Sequence, residues 1–275
     1  MAENKIIETI ELFPKINAEL IKLLRSLSPE EWVKETVLPG RSVKDIASHI
    51  FDTSTRKLSM QRDGYYSEKP EINSYQDLVD FIQKLNSDWI KVSRRFSPSV
   101  LIVLLEVADK WLYDFMKTLD PVGKAEFNVA WAGEEESTNW FDTAREYTEK
   151  WHHQMQIRLA LGKTGINSRE LMFPVIDTFM RGLPYAYRDV KRDGTVKVEV
   201  TGEAGDIWYL IRPEGKWQLV DSLQGVASAG VKLSDDIAWK LFSDTVKKED
   251  VEGDIEISGD RELALPVLDM RTVMR

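Results

Sequence analysis

Apolar residues recur at helical spacing through the N-terminal part of the chain. Between residues 5 and 26 they fall at Ile6, Ile10, Phe13, Ile16, Leu20, Leu23 and Leu24, which predicts an amphipathic first helix with a kink at Pro14. Ser28-Pro29-Glu30-Glu31-Trp32 pairs an N-cap serine with a proline at the first helical position and starts a short second turn. Ser42-Val43-Lys44-Asp45 has the form of a capping box and opens the helix that carries His49. Residues 64–74, with Gly64 and Pro70, read as a polar loop. A helix from Tyr75 to Phe96 follows, with Leu78, Phe81, Ile82, Leu85 and Trp89 on one stripe, then another from about Ser99 to Leu119. A connector rich in acid and glycine leads to a long helix over residues 142–162, which Gly162 closes.

After Gly162 the period changes. Thr195–Thr201 alternates apolar and polar residues, the mark of a half-buried strand. DIWYLIR and KWQLVD form two further strands joined by a Pro-Glu-Gly turn, and Ala229–Leu233 is another. Ser234 caps a short helix, DDIAWKLFS, and Arg261–Val273 reads as the last one. These patterns predict an all-α bundle over residues 1–165 and a small α+β domain with an antiparallel sheet over 166–275.

Composition narrows the function. With 43% hydrophobic residues and nine tryptophans among 275 residues, the chain has the material for real cores. A formal charge of −9 without a basic run argues against nucleic acid as a partner. There is no cysteine, which excludes disulfides, thiolate metal sites and cysteine nucleophiles, so any thiol chemistry must use a thiol from outside. The N-terminal MAENKIIETIELFPK carries charges where a signal peptide would be apolar, and the run near Val100–Leu105 is too short to span a bilayer. A soluble cytoplasmic protein is expected, with small molecules rather than a membrane as partners.

The candidate chemistry lies in the 142–162 helix. Glu149 and His153 are four residues apart, so they share one face and can grip a metal ion together. The same spacing also makes a solvated ion pair. Tyr147, Trp151, Met155 and Leu159 form the main apolar stripe, with Glu149 and His153 well away from it. Either the helix is covered on two sides or these two face water, and periodicity alone leaves both open. The chain has three histidines, His49, His152 and His153. His49 lies near a buried face beside Ile46 and Ile50, where a hydrogen-bonded core histidine is the simple alternative to a ligand. His152 lies nearer the apolar stripe, where it too could be a packed residue.

Three passages resemble the mycothiol-dependent maleylpyruvate isomerase family, within the wider DinB-like metalloprotein group. GRSVKDIASHI resembles the family's G-W-S-x-x-D-[IL]-x-x-H segment, with Arg41 in place of the tryptophan. Glu149-Lys150-Trp151-His152-His153, continuing to Ile157-Arg158, resembles E-x-W-x-H-x-x-D-I-R, with Gln156 in place of the aspartate. VKLSDDIAWKLFS and ISGDRELALPVLDM resemble the sterol-carrier-protein-type domain that often follows the bundle.

The resemblance makes the bundle over residues 1–165 a DinB-like four-helix bundle. It implies a divalent metal, usually zinc, held by His49, Glu149 and His153, with His152 as the spare histidine. It implies a low-molecular-weight thiol, mycothiol or another, as cosubstrate. In the family's reaction the thiol adds to a cis double bond and leaves after rotation. Arginine suits the dianionic substrate of that reaction, and Arg56, Arg62, Arg158 and, from the second domain, Arg261 are the candidates. Three other readings stand beside it. One is a thiol S-transferase on the same fold, and a second is ferrous-iron oxygen chemistry at the same ligands. The third is a non-enzymatic lipid- or small-ligand-binding protein, with Trp208, Trp217 and Trp239 either lining a cavity or simply filling the core.

Overall fold

In the computed structural model, which describes residues 5–273, local capping signals set most helix starts. Helix α1 spans Phe13–Arg25, after a single 3-10 turn at Ile10–Leu12, and Pro14 sits in its first turn rather than at an internal kink. The short α2, Pro29–Trp32, begins with a full capping box between Ser28 and Glu31. Helix α3, Val43–Lys57, begins with another, in which Ser42 and Asp45 exchange side-chain-to-backbone hydrogen bonds. A wider π-type turn, Leu58–Arg62, extends it. Helices α4, Tyr75–Ser93, and α5, Pro98–Met116, start at the serine caps Ser74 and Ser97. Helix α6, Asn139–Leu161, begins three residues earlier than the sequence suggested and ends at Gly162, whose φ of 65° makes it the left-handed cap.

Helices α1, α3, α5 and α6 form the four-helix bundle, with α4 against the outer side of α3. Ion pairs and ring contacts fix the direction of the α3–α6 packing. Lys57 meets Asp142, Ser54 meets Lys150 and His49 meets His153, so the two helices run antiparallel. Inside the bundle, Leu20, Leu24, Ile46, Ile50, Leu101, Leu105 and Ile157 form one apolar cluster.

Beyond α6 come α7, Arg169–Met180, and the one-turn α8, Leu183–Ala186. The strands β1 (Thr195–Thr201), β2 (Asp206–Ile211), β3 (Gln218–Val220) and β4 (Ala229–Ser234) follow. Then come α9 (Asp235–Phe242), α10 (Lys248–Val251), β5 (Glu256–Gly259) and α11 (Arg261–Leu268). The sheet order is β3-β2-β1-β4-β5. The fold class is the one the periodicity predicts, with one correction to the sheet. It is mixed rather than purely antiparallel, because β4 pairs parallel with β1, Val198 opposite Val231. After the β1–β2–β3 meander the chain crosses back to the free edge of β1 and runs alongside it in the same direction. The last helix stops at Leu268, short of Val273.

Alternation in β1 and β4 buries Val196, Val198, Val200, Ala229, Val231 and Leu233 on one face. The core they join does not stop at the sheet. It runs through Phe179 of α7 and Trp239 of α9 to Tyr147, Trp151 and Met155 of α6. Trp151 and Trp239 meet edge to face, ring centroids 5.6 Å apart at 82°. Trp208, Trp217 and Trp239 all belong to this core, and their indole N–H groups donate to Asp177, the Val190 carbonyl and Asp236. Among the described residues, no helix is long and apolar enough to cross a membrane.

The Trp151–Trp239 contact ties bundle to sheet, and its removal is expected to be felt by both. Trp239→Ala should destabilise the protein by about 3–5 kcal/mol. Because the rings touch, Trp151→Ala and Trp239→Ala together should cost less than their sum by at least about 0.5 kcal/mol. Urea unfolding followed by far-UV circular dichroism measures both.

Candidate metal centre

Helix α6 is buried on nearly every side, which decides what its polar residues do. Tyr147, Trp151 and Met155 face the sheet core and Ile157 faces the bundle cluster. The expected apolar stripe ends one turn early, since Leu159 is 40% exposed. On the remaining face Arg145, Glu146, Glu149, His152, His153 and Gln156 line a cavity of about 800 Å³. The opposite wall comes from α3, whose Arg41, Asp45, His49, Thr53 and Lys57 follow one another at one-turn spacing from just before the helix to its end. Helix α4 and the connector around Phe127 and Trp131 complete the cavity.

Three nitrogen and oxygen donors, from Glu149, His152 and His153, converge here, and the His49 ring stands against them. His153 Nε2 lies 3.3 Å from Glu149 Oε2, and His152 Nε2 lies 3.8 Å from the same oxygen. The His49 ring meets the His153 ring edge to face, centroids 4.7 Å apart at 88°. Glu149, His152 and His153 each offer a ligand atom within 4.8 Å of the others. The structure therefore brings together His49, Glu149 and His153, and it adds His152, which the sequence reading set aside.

The hydrogen bonds of the outer ring fix the tautomers. His153 Nδ1 lies 2.9 Å from Gln156 Oε1, and a carboxamide oxygen only accepts, so Nδ1 carries the proton. Gln156 in turn donates from Nε2 to Thr245, 3.2 Å away. His152 Nδ1 likewise donates to the Thr148 carbonyl at 2.9 Å. Both rings therefore turn Nε2 toward the Glu149 carboxylate. Each such contact requires either a proton or a cation between nitrogen and oxygen, since two lone pairs facing each other repel. The donor set fits a divalent ion.

The electrostatics agree. Burial, then the neighbouring His153 and Arg56, hold the His49 imidazole well below its usual range, so it stays neutral with a free lone pair. Burial opposes ionisation of Glu149, but His152, the hydrogen bond from His153 and the Arg145 guanidinium outweigh it and hold the carboxyl well below the usual carboxylate range.

Beside the donors is a buried charge cluster. Lys57 Nζ pairs with Asp142 at 2.5 Å and with Glu146 at 3.6 Å, and Arg145 pairs with Asp142 at 2.6 Å and Glu146 at 2.5 Å. Sequence reasoning missed it. Its signal was the run 142, 145, 146, 149, 153, 156, an unbroken polar stripe along one side of the helix.

Of the arginines expected at a substrate, Arg56 lines the cavity. Arg62 pairs with Asp63 outside, and Arg158 donates to the Thr164 carbonyl on another side of α6. Arg261 is exposed at the start of α11, pairs with Glu252, and does not line the cavity. A second-domain arginine is expected where a site lies in a cleft between domains, and the position of Arg261 on α11 keeps it outside this cavity.

The fold and site together define a class: a helical bundle with a candidate metal centre in a cavity, packed against an α+β sheet unit. Two solved structures share this fold over almost its whole length. The crystal structure of the mycothiol-dependent maleylpyruvate isomerase superposes with a TM-score of 0.54 at 11% identity, covering 92% of this chain and 93% of that one. A histidine-to-alanine mutant of that enzyme gives 0.55 at the same identity and coverage. No family model and no curated protein matches the sequence.

Asp52, one turn beyond His49 on α3, supplies a pH prediction. Burial raises its carboxyl to about 6 from the usual 3.8, partly offset by Arg56, whose Nε lies 3.0 Å away but off the hydrogen-bond axis. The folded protein keeps this proton where the unfolded chain has lost it. Stability therefore falls as pH rises between 3.8 and about 6, and the effect is constant outside that window. Asp52→Asn should remove up to about 3 kcal/mol of that fall. Urea midpoints of both proteins across the window measure it.

Proposed function

We propose that this chain is a metal-dependent enzyme that activates a low-molecular-weight thiol for attack on an electrophilic double bond. The observation that carries the reading is that His49 on one cavity wall faces Glu149 and His153 on the other, with neutral His49 and two Nε2 atoms aimed at one carboxylate. His49, Glu149 and His153 are the proposed ligands, and His152 is held by the Thr148 carbonyl as a neighbour able to join them. Two imidazoles and a carboxylate suit zinc and leave a position open. A divalent ion there supplies one thing, a lower pKa for a bound thiol.

The chain's own residues do the rest. Gln156 orients His153, and Glu149 balances the positive charge. Apolar walls such as Phe81, Ile82 and Ile90 exclude water from the reacting atoms. The absence of cysteine fits a thiol that arrives as a cosubstrate. We assign residues 1–165 to the unit that holds the metal and 166–275 to the unit that buttresses α6.

The reading fits cis–trans isomerisation by thiol addition, rotation and elimination, and the fold is shared with a mycothiol-dependent maleylpyruvate isomerase. One observation favours a second reading, conjugation of the thiol to its acceptor without elimination. Arg56, Lys57 and Arg145 are each committed to a carboxylate, so they offer little to a dianion.

Metal content by inductively coupled plasma mass spectrometry tests the centre. The wild type should hold about one equivalent of zinc after reconstitution. His49→Ala should lose metal affinity by more than about 100-fold, and Gln156→Ala by about 10–100-fold, as an outer-ring partner does. A wild type that binds no metal overturns the proposal, as does His49→Ala with undiminished affinity.

A further inference from the structure

The cavity wall carries four cationic side chains, Arg41, Arg56, Lys57 and Arg145. Three are neutralised where they stand. Arg56 meets Asp52 and donates to Asn86 at 2.8 Å. Lys57 and Arg145 share Asp142 and Glu146. Arg41 differs from all of them. Among the described residues, neither a carboxylate nor a carbonyl meets its guanidinium. The acid nearest along the chain, Asp45, is taken up by Arg94 at 3.1 and 2.9 Å and by the Ser42 backbone N–H at 3.0 Å.

The free guanidinium stands on a fixed backbone. The Arg41 N–H donates to the Leu38 carbonyl at 3.0 Å. Its own carbonyl accepts from the Thr36 N–H at 3.0 Å and the Thr36 hydroxyl at 2.9 Å. Gly40, at φ 70°, makes the turn that a side chain would strain. A half-buried cation without a partner is open to an anion.

Its place along the cavity gives the ligand a length. His49 lies six residues along α3 from Val43, roughly 9 Å of axial rise, and Arg41 stands two residues before that helix start on the same wall. Leu38, Pro39, Ile46 and Ile90 line the cavity around this stretch. We propose that Arg41 is a specificity-determining residue that receives a carboxylate at one end of an elongated ligand. The ligand's middle is apolar, and its other end reaches His49, Glu149 and His153. The substrate class is then an amphipathic carboxylate. The inference rests on the metal-centre reading only for the identity of the far end.

Isothermal titration calorimetry with two probes separates the two ideas. The probes are ω-mercaptooctanoate and its uncharged partner ω-mercaptooctanol, each titrated into metal-free and zinc-loaded protein. Wild type should prefer the acid by about ten-fold or more in both forms. Arg41→Gln should abolish that preference, and Arg41→Lys should keep part of it. Circular dichroism should show unchanged folding, since the guanidinium makes no contact to lose. Equal affinity of wild type for the two probes overturns the assignment, as does an acid preference that survives Arg41→Gln, or no binding of the acid at all. Zinc that strengthens neither probe counts against the metal-centre reading and leaves the Arg41 preference standing.

Discussion

Everything in the molecule depends on the burial of α6. A helix covered on one side can send its polar residues to water, but α6 lies between the bundle, the sheet core and the cavity. Its charges have no such outlet. Taking a charge out of water costs several kcal/mol unless a partner is present, so the charged side chains buried on this helix are bound to partners. Lys150 is held by Asp109 at 2.5 Å and Ser54 at 2.9 Å. Gln154 donates to the Ile16 carbonyl, and Arg158 to that of Thr164. The same rule, applied on the cavity face, gives the neutral cluster of Lys57, Asp142, Arg145 and Glu146.

Glu149, His152 and His153 are where that rule is only partly met. Each imidazole has one nitrogen satisfied by an acceptor of the protein, and both send the other to a single carboxylate. One carboxylate oxygen serving two imidazoles is a poor arrangement for stability and a good one for binding a cation. The neighbouring cluster is neutral by internal pairing, so it neither repels a dication nor competes with it. The charge balance thus isolates the centre: acids and bases cancel around it, while neutral nitrogen and one carboxylate remain within it.

Much of this was legible in the residues, and the limits are physical. The Ser28-Pro29 pair, the capping box at Ser42 and the serine cap at Ser234 located helix starts because they are local chemistry. Alternation found β1, β2 and β4 for the same reason. Helix α7 was not legible, since Pro174 interrupts its sequence signal while the surrounding core keeps it helical. Strand β5 is four residues long with one partner, too short for alternation to register. The parallel pairing of β1 with β4 is set by how the chain crosses the sheet, which no local pattern encodes. At the site, spacing on α6 singled out Glu149 and His153, but the approach of His49 to them is a tertiary contact. The two-sided covering of α6, left open by periodicity, is decided by the sheet packing against Trp151.

Gln156 shows how the outer ring sets what the inner one can do. A carboxylate in its place would strengthen the basicity of His153 and add a negative charge beside Glu149. The carboxamide accepts the same proton from Nδ1 without that charge, and its NH2 ties the arrangement to Thr245 beyond α9, in the C-terminal part of the chain. The centre therefore carries one formal negative charge rather than two, from Glu149. A dication with a thiolate bound beside it would then come close to neutral overall, the state that a largely apolar cavity tolerates best. On this reasoning the amide at 156, the paired cations of the wall and the apolar lining are parts of one electrostatic solution. It leaves the candidate metal centre and Arg41 as the places in the cavity where charge is not paired off.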